Sequence, residues 1–202
     1  MYPGQPDSGN YYQEPEKQPK PSPVKKALYL AREILETIVP AVLIALLINL
    51  FMAQATRVYG QSMEPNLHTD QRLIVEKLSY NRYLRQYLGL EGPQQSDVVV
   101  INLSSQGNEL LIKRIIGLPG DVVEIRDSQV FVNGYPLVEP YLGGITPGYY
   151  GPVTIPPLHI FVLGDNRNFS NDSRNFGTVP LEDVVGRAWF SYWPADQIGF
   201  VE

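Results

Sequence analysis

A chain of 202 residues, 44% of them hydrophobic, can bury one good core, so length alone predicts one domain with appendages. Its net charge of -5 and pI near 5.1 argue against nucleic acid as a partner, because phosphate binding requires a basic surface. The absence of cysteine excludes disulfides, thiolate nucleophiles and cysteine-based metal sites.

The first 24 residues are rich in proline, glutamine, glutamate and glycine and carry almost no aliphatic side chains. Such a segment buries too little apolar surface to offset the entropy of ordering it, so we predict a disordered tail over 1–24. A proline-rich segment that binds a partner is the alternative.

An uncharged stretch runs from Thr37 to Thr56, long enough for a helix of about 30 Å, the thickness of a bilayer's hydrocarbon core. We therefore predict a juxtamembrane segment over 25–36 and a transmembrane helix over 37–56. Pro40 would lie near its first turn, and Asn49 would face protein or the interface.

Basic residues are concentrated before this stretch, whereas Arg57 alone follows it immediately. The positive-inside rule then places the N-terminus in the cytoplasm and residues 57–202 outside it, at the cell membrane or at an internal membrane such as the thylakoid. The basic residues ahead of the stretch are Lys17, Lys20, Lys25, Lys26 and Arg32.

An alternative comes from Ala53-Gln54-Ala55, an A-x-A pattern after an apolar run, as at a secretory cleavage site. The region before the apolar run would then exceed thirty residues and carry Glu33 and Glu36, which is unusual for a signal peptide. We favour the anchor, and whether Ala53-Gln54-Ala55 is cleaved stays open.

From Gln71 onward, short β-branched runs separated by turn residues predict a mostly β domain of antiparallel sheets. Asn133-Gly134 within 129–137 indicates a hairpin, residues 79–88 a short helix, and residues 139–157 a loop. The predicted strands are Arg72–Glu76, Asp97–Ile101, Leu110–Ile116, Asp121–Ile125, His159–Leu163 and Val184–Tyr192.

Two short motifs carry the chemistry. Ser62 lies in Tyr-Gly-Gln-Ser-Met-Glu-Pro-Asn-Leu, shortly after the apolar run, and Lys113 begins Lys-Arg-Ile-Ile-Gly-Leu-Pro-Gly-Asp. A hydroxyl needs a base to become a nucleophile, and a buried lysine is one of the few side chains that can serve. The pair suggests a serine/lysine hydrolase at a membrane surface.

The face of the predicted strand supports this role for Lys113, which shares it with Leu111 and Ile115, while Arg114 points the other way. To be neutral at pH 7 the lysine needs a pKa below 7, against about 10.4 when free, and burial among aliphatic side chains shifts it in that direction. Arg114 stays charged and requires a carboxylate partner.

Each residue taken singly has a simpler interpretation, since loop serines usually form turns and strand lysines usually protect sheet edges. A third segment, the polar run 164–177, favours the interpretation of Ser62 and Lys113 as a catalytic pair. It follows an apolar strand, reads Gly-Asp-Asn-Arg-Asn-Phe-Ser-Asn-Asp-Ser-Arg-Asn-Phe-Gly, and offers hydrogen bonds that would orient the lysine.

Together the three segments resemble the bacterial type I signal peptidases, from the apolar run to Trp193. The resemblance implies a compact signal-peptidase-like β-domain, with Ser62 as nucleophile, Lys113 as general base and Ser170 against that lysine. It also implies that Asp165 pairs with Arg114. Asp172 and Arg174 would brace the loop.

Four positions depart from the commonest family pattern. Gly60 stands where some members have a serine that helps the oxyanion hole, so the hole would rest mainly on backbone N–H groups, with that of Ser62 the main donor. Asn66 replaces a threonine, Phe169 an asparagine and Ser96 a glycine.

The resemblance implies that the substrates are exported preproteins cut after small residues. The expected partners are such preproteins, the lipid bilayer and the export machinery, with no nucleic acid. No cofactor or metal is expected, because the histidines lie far apart and the carboxylates do not cluster. Trp189, Phe190, Tyr192 and Trp193 would contact the membrane interface or pack in the core.

Three rival interpretations remain at this point. His68 or His159 would serve as base in a Ser-His-Asp triad, although no Gly-x-Ser-x-Gly motif is present. A soluble self-cleaving repressor would share the serine/lysine logic, but it binds DNA and lacks an anchor. The third is a membrane-anchored β-domain that acts only as a binding module or scaffold.

Overall fold

The computed structural model describes residues 22–47, 53–103 and 109–201. The chain divides into two compact units, Met1–Ile44 and Ala45–Glu202. Most of the predicted N-terminal tail, together with Lys17, Lys20 and Asn49, lies outside the described residues.

Helix α1 spans Pro23–Leu47 and begins earlier than predicted. Ser22 caps it, since its hydroxyl accepts from Lys25 N at 3.4 Å, and Pro23 occupies a first-turn position where a missing N–H costs nothing. Residues 25–36 are therefore helical. Pro40 lies in the helix interior rather than near its first turn.

Helix α1 contains charged residues before Thr37, and two of them, Arg32 and Glu36, form an ion pair across one turn at 2.7 Å. The charged residues are Lys25, Lys26, Arg32, Glu33 and Glu36. Within the described residues, no helix combines the length and apolarity that a membrane crossing requires.

The predicted helix over 37–56 is wrong at its C-terminal end, because Ala53–Arg57 forms strand β1. This strand pairs antiparallel with β2 (Arg72–Glu76), with Ala55 opposite Ile74. The apolar composition that favoured a helix here is equally compatible with a sheet, and cross-strand pairing decides between them.

The described residues of the second unit fold into antiparallel β-sheets, which confirms the mostly β part of the predicted fold class. The remaining strands are β3 (Val98–Leu103), β4 (Glu109–Gly117), β5 (Val122–Arg126), β6 (Gln129–Val132), β7 (Tyr135–Pro136), β8 (Tyr150–Thr154), β9 (His159–Leu163), β10 (Val179–Pro180), β11 (Val184–Trp193) and β12 (Gly199–Phe200). One sheet has the order β1-β2-β11-β3-β4-β9-β10 with β12 beside β11, and the other has the order β7-β6-β5-β8.

The predicted runs all become strands, two of them with the predicted bounds and the others with bounds that differ by a residue or two. Asn133 and Gly134 have φ values of 54° and 83° and turn β6 into β7, as the hairpin prediction requires. Helix α2 is shorter than predicted, Arg82–Leu88, because Asn81 rather than Ser79 provides the cap, accepting from Tyr83 N at 3.1 Å.

The short helix α3 (Ser173–Phe176) was not predicted, nor was strand β8, which lies inside the predicted loop over 139–157. The short strands β10 and β12 were not predicted either. These elements have little periodicity of their own: the strands are stabilised by the strands they pair with, and α3 by its Asp172 cap.

The hydrophobic core holds the segment around Ser62 in place. Val58, Met63 and Leu67 are 1–3% exposed and pack with buried residues of β2, β3 and β11. Burial of one such side chain contributes about 1.5–3 kcal/mol. A second cluster packs the smaller sheet against β4 and β9, through residues such as Ile125 and Phe161.

Candidate active site

Ser62 lies in a turn between β1 and β2. On one side of the turn Val58 N donates to Gln71 O at 2.8 Å and Asp70 N donates to Val58 O at 2.9 Å, so the base of the turn is closed by backbone bonds. Gly60 has φ of 76°, in the left-handed region where a side chain is strained. A serine would strain this conformation.

Lys113 comes from β4 and is only 2% exposed. Its Nζ lies 2.8 Å from Ser62 Oγ and 2.9 Å from Ile112 O. Burial lowers the pKa of Lys113 to about 8, while the charges of Asp172 and Asp165 oppose that shift. The fall is therefore smaller than the sequence analysis required for a neutral amine at pH 7.

Arg114, the next residue of β4, makes a bidentate ion pair with Asp165, through Nε at 2.8 Å and Nη2 at 2.7 Å. The two side chains are 1% and 0% exposed. Arg114 Nη1 also donates to Ser96 O at 2.9 Å, and the guanidinium lies 3.9 Å from the centre of the Tyr141 ring. This pair joins β4 to the loop that follows β9.

That loop, residues 164–172, contacts the backbone beside Ser62. Asn166 N donates to Ser62 O at 3.0 Å, and Asn166 Nδ2 donates to Gln61 O at 3.1 Å. A Cβ on Gly164 would lie 2.5 Å from Ser62 O and would overlap the Ser170 hydroxyl, so only glycine permits this approach.

Asp172 and Arg174 close the end of the loop. Asp172 caps α3, accepts from Gly164 N at 3.1 Å and pairs with Arg174 Nε at 2.8 Å. Arg174 Nη2 in turn donates to Arg167 O at 2.7 Å. The loop is held from both ends.

Ser170 differs from the expectation. Its Oγ is buried and has no hydrogen-bond partner among the described residues, and Lys113 Nζ bonds Ser62 and Ile112 instead. Because an ammonium carries three donors, one N–H of Lys113 remains for a further acceptor. The structure places Ser170 in the site without the contact to the lysine.

The departures from the family pattern have structural explanations. Ser96 has φ of 75°, which explains why glycine suits this position. Asn66 Nδ2 donates to both Tyr141 O and Asp165 Oδ2 at 2.8 Å, and a threonine, with one hydroxyl proton, cannot make both bonds. Phe169 is 65% exposed, so its replacement of an asparagine affects no packing.

Four residues that belong to the site were not predicted as parts of it: Asn66, Asn166, Glu139 and Arg167. Arg167 and Glu139 form a buried ion pair, although they are far apart in sequence. The Gly-Asp-Asn-Arg run was the only signal available for two of them, and no local pattern marks Glu139.

Neither histidine bonds Ser62 in the described structure. The side chain of His68 is 48% exposed and its Nδ1 lies 4.0 Å from Glu64 Oε1, while His159 Nδ1 lies 2.9 Å from Pro157 O. Ser62 Oγ is instead bonded to Lys113 Nζ. The geometry gives no support to a histidine-based triad.

The aromatic residues of β11 and β12 form a cluster of edge-on contacts. The rings of Trp189 and Phe190 both lie 5.4 Å from that of Phe200. Trp189, Trp193 and Phe200 are 44%, 53% and 68% exposed, and Tyr192 is also exposed. Of the two alternatives for the predicted aromatic residues, core packing is therefore wrong for Trp189, Tyr192 and Trp193, whereas Phe190 is partly buried.

Comparison with known proteins gives consistent results. A family described as signal peptidase, peptidase S26 matches residues 31–193. A probable signal peptidase I-2 from Synechocystis is 40% identical over 84% of this chain and 76% of its own length. The signal peptidase I of Bacillus licheniformis is 37% identical over 82% of this chain and 90% of its own.

Two further relatives extend the comparison. A chloroplastic thylakoidal processing peptidase 1 from Arabidopsis thaliana is 34% identical over 87% of this chain and 52% of its own length. The crystal structure of a signal peptidase I from Enterococcus faecalis is 34% identical, covers 48% of this chain and 97% of its own, and superimposes with a TM-score of 0.44. The chain therefore belongs to the signal peptidase family, peptidase S26.

Proposed function

We propose that this protein removes N-terminal signal peptides from exported preproteins, with Ser62 as nucleophile and Lys113 as general base. The observation that carries the proposal is the 2.8 Å distance between Lys113 Nζ and Ser62 Oγ, with the lysine buried in β4. Membership of the signal peptidase family supports this activity, and for that reason we set aside the interpretations as a repressor or a scaffold.

In the proposed reaction, neutral Lys113 accepts the Ser62 proton while Oγ attacks the scissile carbonyl carbon. The resulting ammonium gives its proton to the leaving amine as the C–N bond breaks, which leaves an ester on Ser62. Water then attacks this ester while Lys113 takes a proton from it, and the ammonium returns that proton to Ser62 Oγ as the ester bond breaks. The signal peptide leaves with a C-terminal carboxyl group.

The pKa of about 8 suits this cycle. About one-tenth of the lysine is neutral at pH 7 for a pKa of that size, and a bound peptide that excludes water lowers the pKa further. A group whose pKa lies close to the working pH can both take and return a proton.

The oxyanion would be held mainly by backbone donors. Ser62 N has no acceptor among the described backbone hydrogen bonds and is free to donate. Gly60 contributes no hydroxyl, and its left-handed backbone shapes the turn before the nucleophile. Loss of one such donor in other hydrolases costs about 100- to 1,000-fold in rate.

The substrate preference for small residues before the cut is proposed from the family resemblance.

The location is proposed from the sequence. The uncharged stretch of residues 37–56 and the basic residues ahead of it support a single-pass anchor with a cytoplasmic N-terminus, and the strand Ala53–Arg57 limits that anchor to residues before 53. The membrane is the cell membrane or a thylakoid.

The exposed aromatic cluster of β11 and β12 supports contact with the bilayer surface. Tryptophan and tyrosine side chains favour the interface, where an apolar ring and a polar N–H or O–H are both satisfied. A scissile bond just outside a membrane-embedded signal peptide lies at the same depth. Contact with the export machinery remains a further part of this proposal.

The test uses the full chain in detergent with a preprotein whose signal ends in Ala-x-Ala. We expect Ser62→Ala and Lys113→Ala each to lower kcat by at least about a thousandfold, as removal of either member of a cooperating pair does elsewhere. A double variant, His68→Ala with His159→Ala, is the control and should cleave normally. Cleavage by Ser62→Ala at the wild-type rate would refute the mechanism.

A further inference from the structure

Residues 139–146, here called the strap, connect the smaller sheet to the site. The strap follows β7 and precedes β8, so it does not belong to the strand that carries Lys113 or to the turn that carries Ser62. It nevertheless contacts Arg167, Arg114 and Asn66.

The first contact is ionic and buried. The guanidinium of Arg167 binds both carboxylate oxygens of Glu139, and the side chains are 2% and 7% exposed. Arg167 Nη1 also binds the hydroxyl of Thr146, which is 0% exposed. The two ends of the strap are therefore held by one arginine.

Arg167 also forms hydrogen bonds within the loop beside Ser62. Its Nε donates to Gly164 O at 3.1 Å, and its own carbonyl accepts from Arg174. Between Gly164 and Arg167, Asn166 N donates to Ser62 O at 3.0 Å. A chain of hydrogen bonds thus runs from Glu139 to the backbone of the nucleophile.

The second route passes through Tyr141. Its hydroxyl donates to Glu139 Oε1 at 2.7 Å, and its ring covers the Arg114 guanidinium. Asn66 links Tyr141 O to Asp165, the partner of Arg114, and Asn66 belongs to the same turn as Ser62. The strap is therefore tied both to the loop and to the nucleophile's own turn.

Charge explains why Glu139 matters more than the other strap residues. A buried guanidinium without a carboxylate is strongly unfavourable, so Arg167 would turn toward solvent if Glu139 were neutral. That movement would release Gly164 O and the loop that contacts Ser62. A displacement of about 1 Å at a reacting group can cost about 100-fold in rate.

We propose that Glu139 is a positioning residue, which holds Arg167 so that the loop 164–167 keeps the Ser62 hydroxyl within reach of Lys113 Nζ, and that Asn66 is the second tether. This inference rests on the proposed Ser62 and Lys113 mechanism. Neither residue contacts the reacting atoms.

The experiment compares Glu139→Gln with Glu124→Gln in the full chain. Glu124 is the control because it also pairs with an arginine, Arg126, but on the smaller sheet and with the arginine 39% exposed. The measurements are kcat and KM for preprotein cleavage from pH 6 to pH 10, together with the melting temperature.

We expect Glu139→Gln to lower kcat by about tenfold or more with little change in KM, because positioning and not binding is affected. The midpoint of the pH profile should also move upward, because water reaches Lys113, whose charged neighbours are Asp172 and Asp165. Glu139→Asp, which keeps the charge, should recover most of the lost kcat, and Glu124→Gln should change neither quantity.

A lower melting temperature with unchanged kcat and pH midpoint would overturn the proposal, because it would show a purely structural role. If Glu139→Gln fails to fold, the Asn66→Ala variant tests the proposal instead. Asn66 is exposed, and the loss of its side chain leaves no buried charge without a partner. That variant should lose about three- to tenfold in kcat, and wild-type kcat would refute the tether. Failure of the proposed function itself is seen separately, as cleavage by Ser62→Ala.

Discussion

Lys113 combines near-complete burial with two nearby carboxylates. Burial lowers its pKa to about 8, and the charges of Asp172 and Asp165 oppose that shift. The sequence predicted the direction from the apolar face of β4. The opposing charges come from the loop after β9, which only the fold brings beside the lysine.

The first prediction concerns pH. Because the base must be neutral, kcat/KM should rise with pH, reach half its maximum near pH 8 and level off about one unit higher. The measurement is preprotein cleavage from pH 6 to pH 10 in the wild type. A flat profile over that range would contradict a lysine base.

The second prediction concerns stability. The folded-state pKa of Lys113 lies below the ordinary 10.5, so the folded state resists protonation and the penalty is fully present below pH 8. Lys113→Met should therefore be more stable than the wild type at pH 7, by about 1–3 kcal/mol, while losing activity. The difference should shrink as the pH rises from 8 to 10.5, as urea unfolding would show. A destabilised variant would contradict this.

The third prediction concerns Ser170, whose buried hydroxyl has no hydrogen-bond partner within the part of the chain that the structure describes. Ser170→Ala removes an unsatisfied polar atom, so the free energy of unfolding should stay constant or rise by about 1 kcal/mol. If the hydroxyl turns to Lys113 during catalysis, as the family resemblance implies, kcat should fall at the same time. Unchanged kcat would assign Ser170 no role in orienting the lysine.

At the scale of elements, one ion pair holds β4 to the catalytic loop. Arg114 and Asp165 are both fully buried and bonded through two parallel hydrogen bonds. Such a pair contributes little net stability compared with apolar residues, but removal of one member leaves an uncompensated charge. The pair therefore specifies position more than it adds stability.

The fourth prediction follows from that asymmetry. Asp165→Asn should lower the free energy of unfolding by about 3–5 kcal/mol, because Arg114 stays buried. The control is Asp70→Asn, which breaks the Arg57–Asp70 pair, whose side chains are 49% and 62% exposed, and should change stability by less than about 1 kcal/mol. Equal effects in urea unfolding would show that burial is not the cause.

Strands were the elements easiest to predict. Arg72–Glu76 and His159–Leu163 have the predicted bounds because dense β-branched and aliphatic side chains indicate a buried strand locally. Ala53–Arg57 was misassigned, since its alanines suit several structures and the pairing with β2 decides.

For the whole molecule, the aromatic cluster on β11 and β12 is the surface that we propose contacts a bilayer. The fifth prediction is that Trp189→Ser with Trp193→Ser lowers cleavage of a membrane-inserted preprotein in proteoliposomes several-fold. A short soluble peptide in detergent should be cleaved at the wild-type rate, because the dyad is untouched. An equal loss in both assays would place the tryptophans in catalysis or folding instead.

The sequence by itself determined the strands with dense β-branched and aliphatic side chains, the hairpin at Asn133-Gly134, the family and the candidate pair Ser62 and Lys113. These follow from local signals: periodicity, turn residues, and motifs in which chemistry requires a residue type at a given spacing. Such signals are complete within a few consecutive residues.

Only the tertiary structure decided the rest. The bonds from Asn66 to Asp165 and from Arg167 to Glu139 join residues far apart in sequence, and the φ of Ser96 is set by its place in the fold. The pKa of about 8 depends on burial and on carboxylates from another segment. These properties arise from distances between segments, which local patterns do not contain.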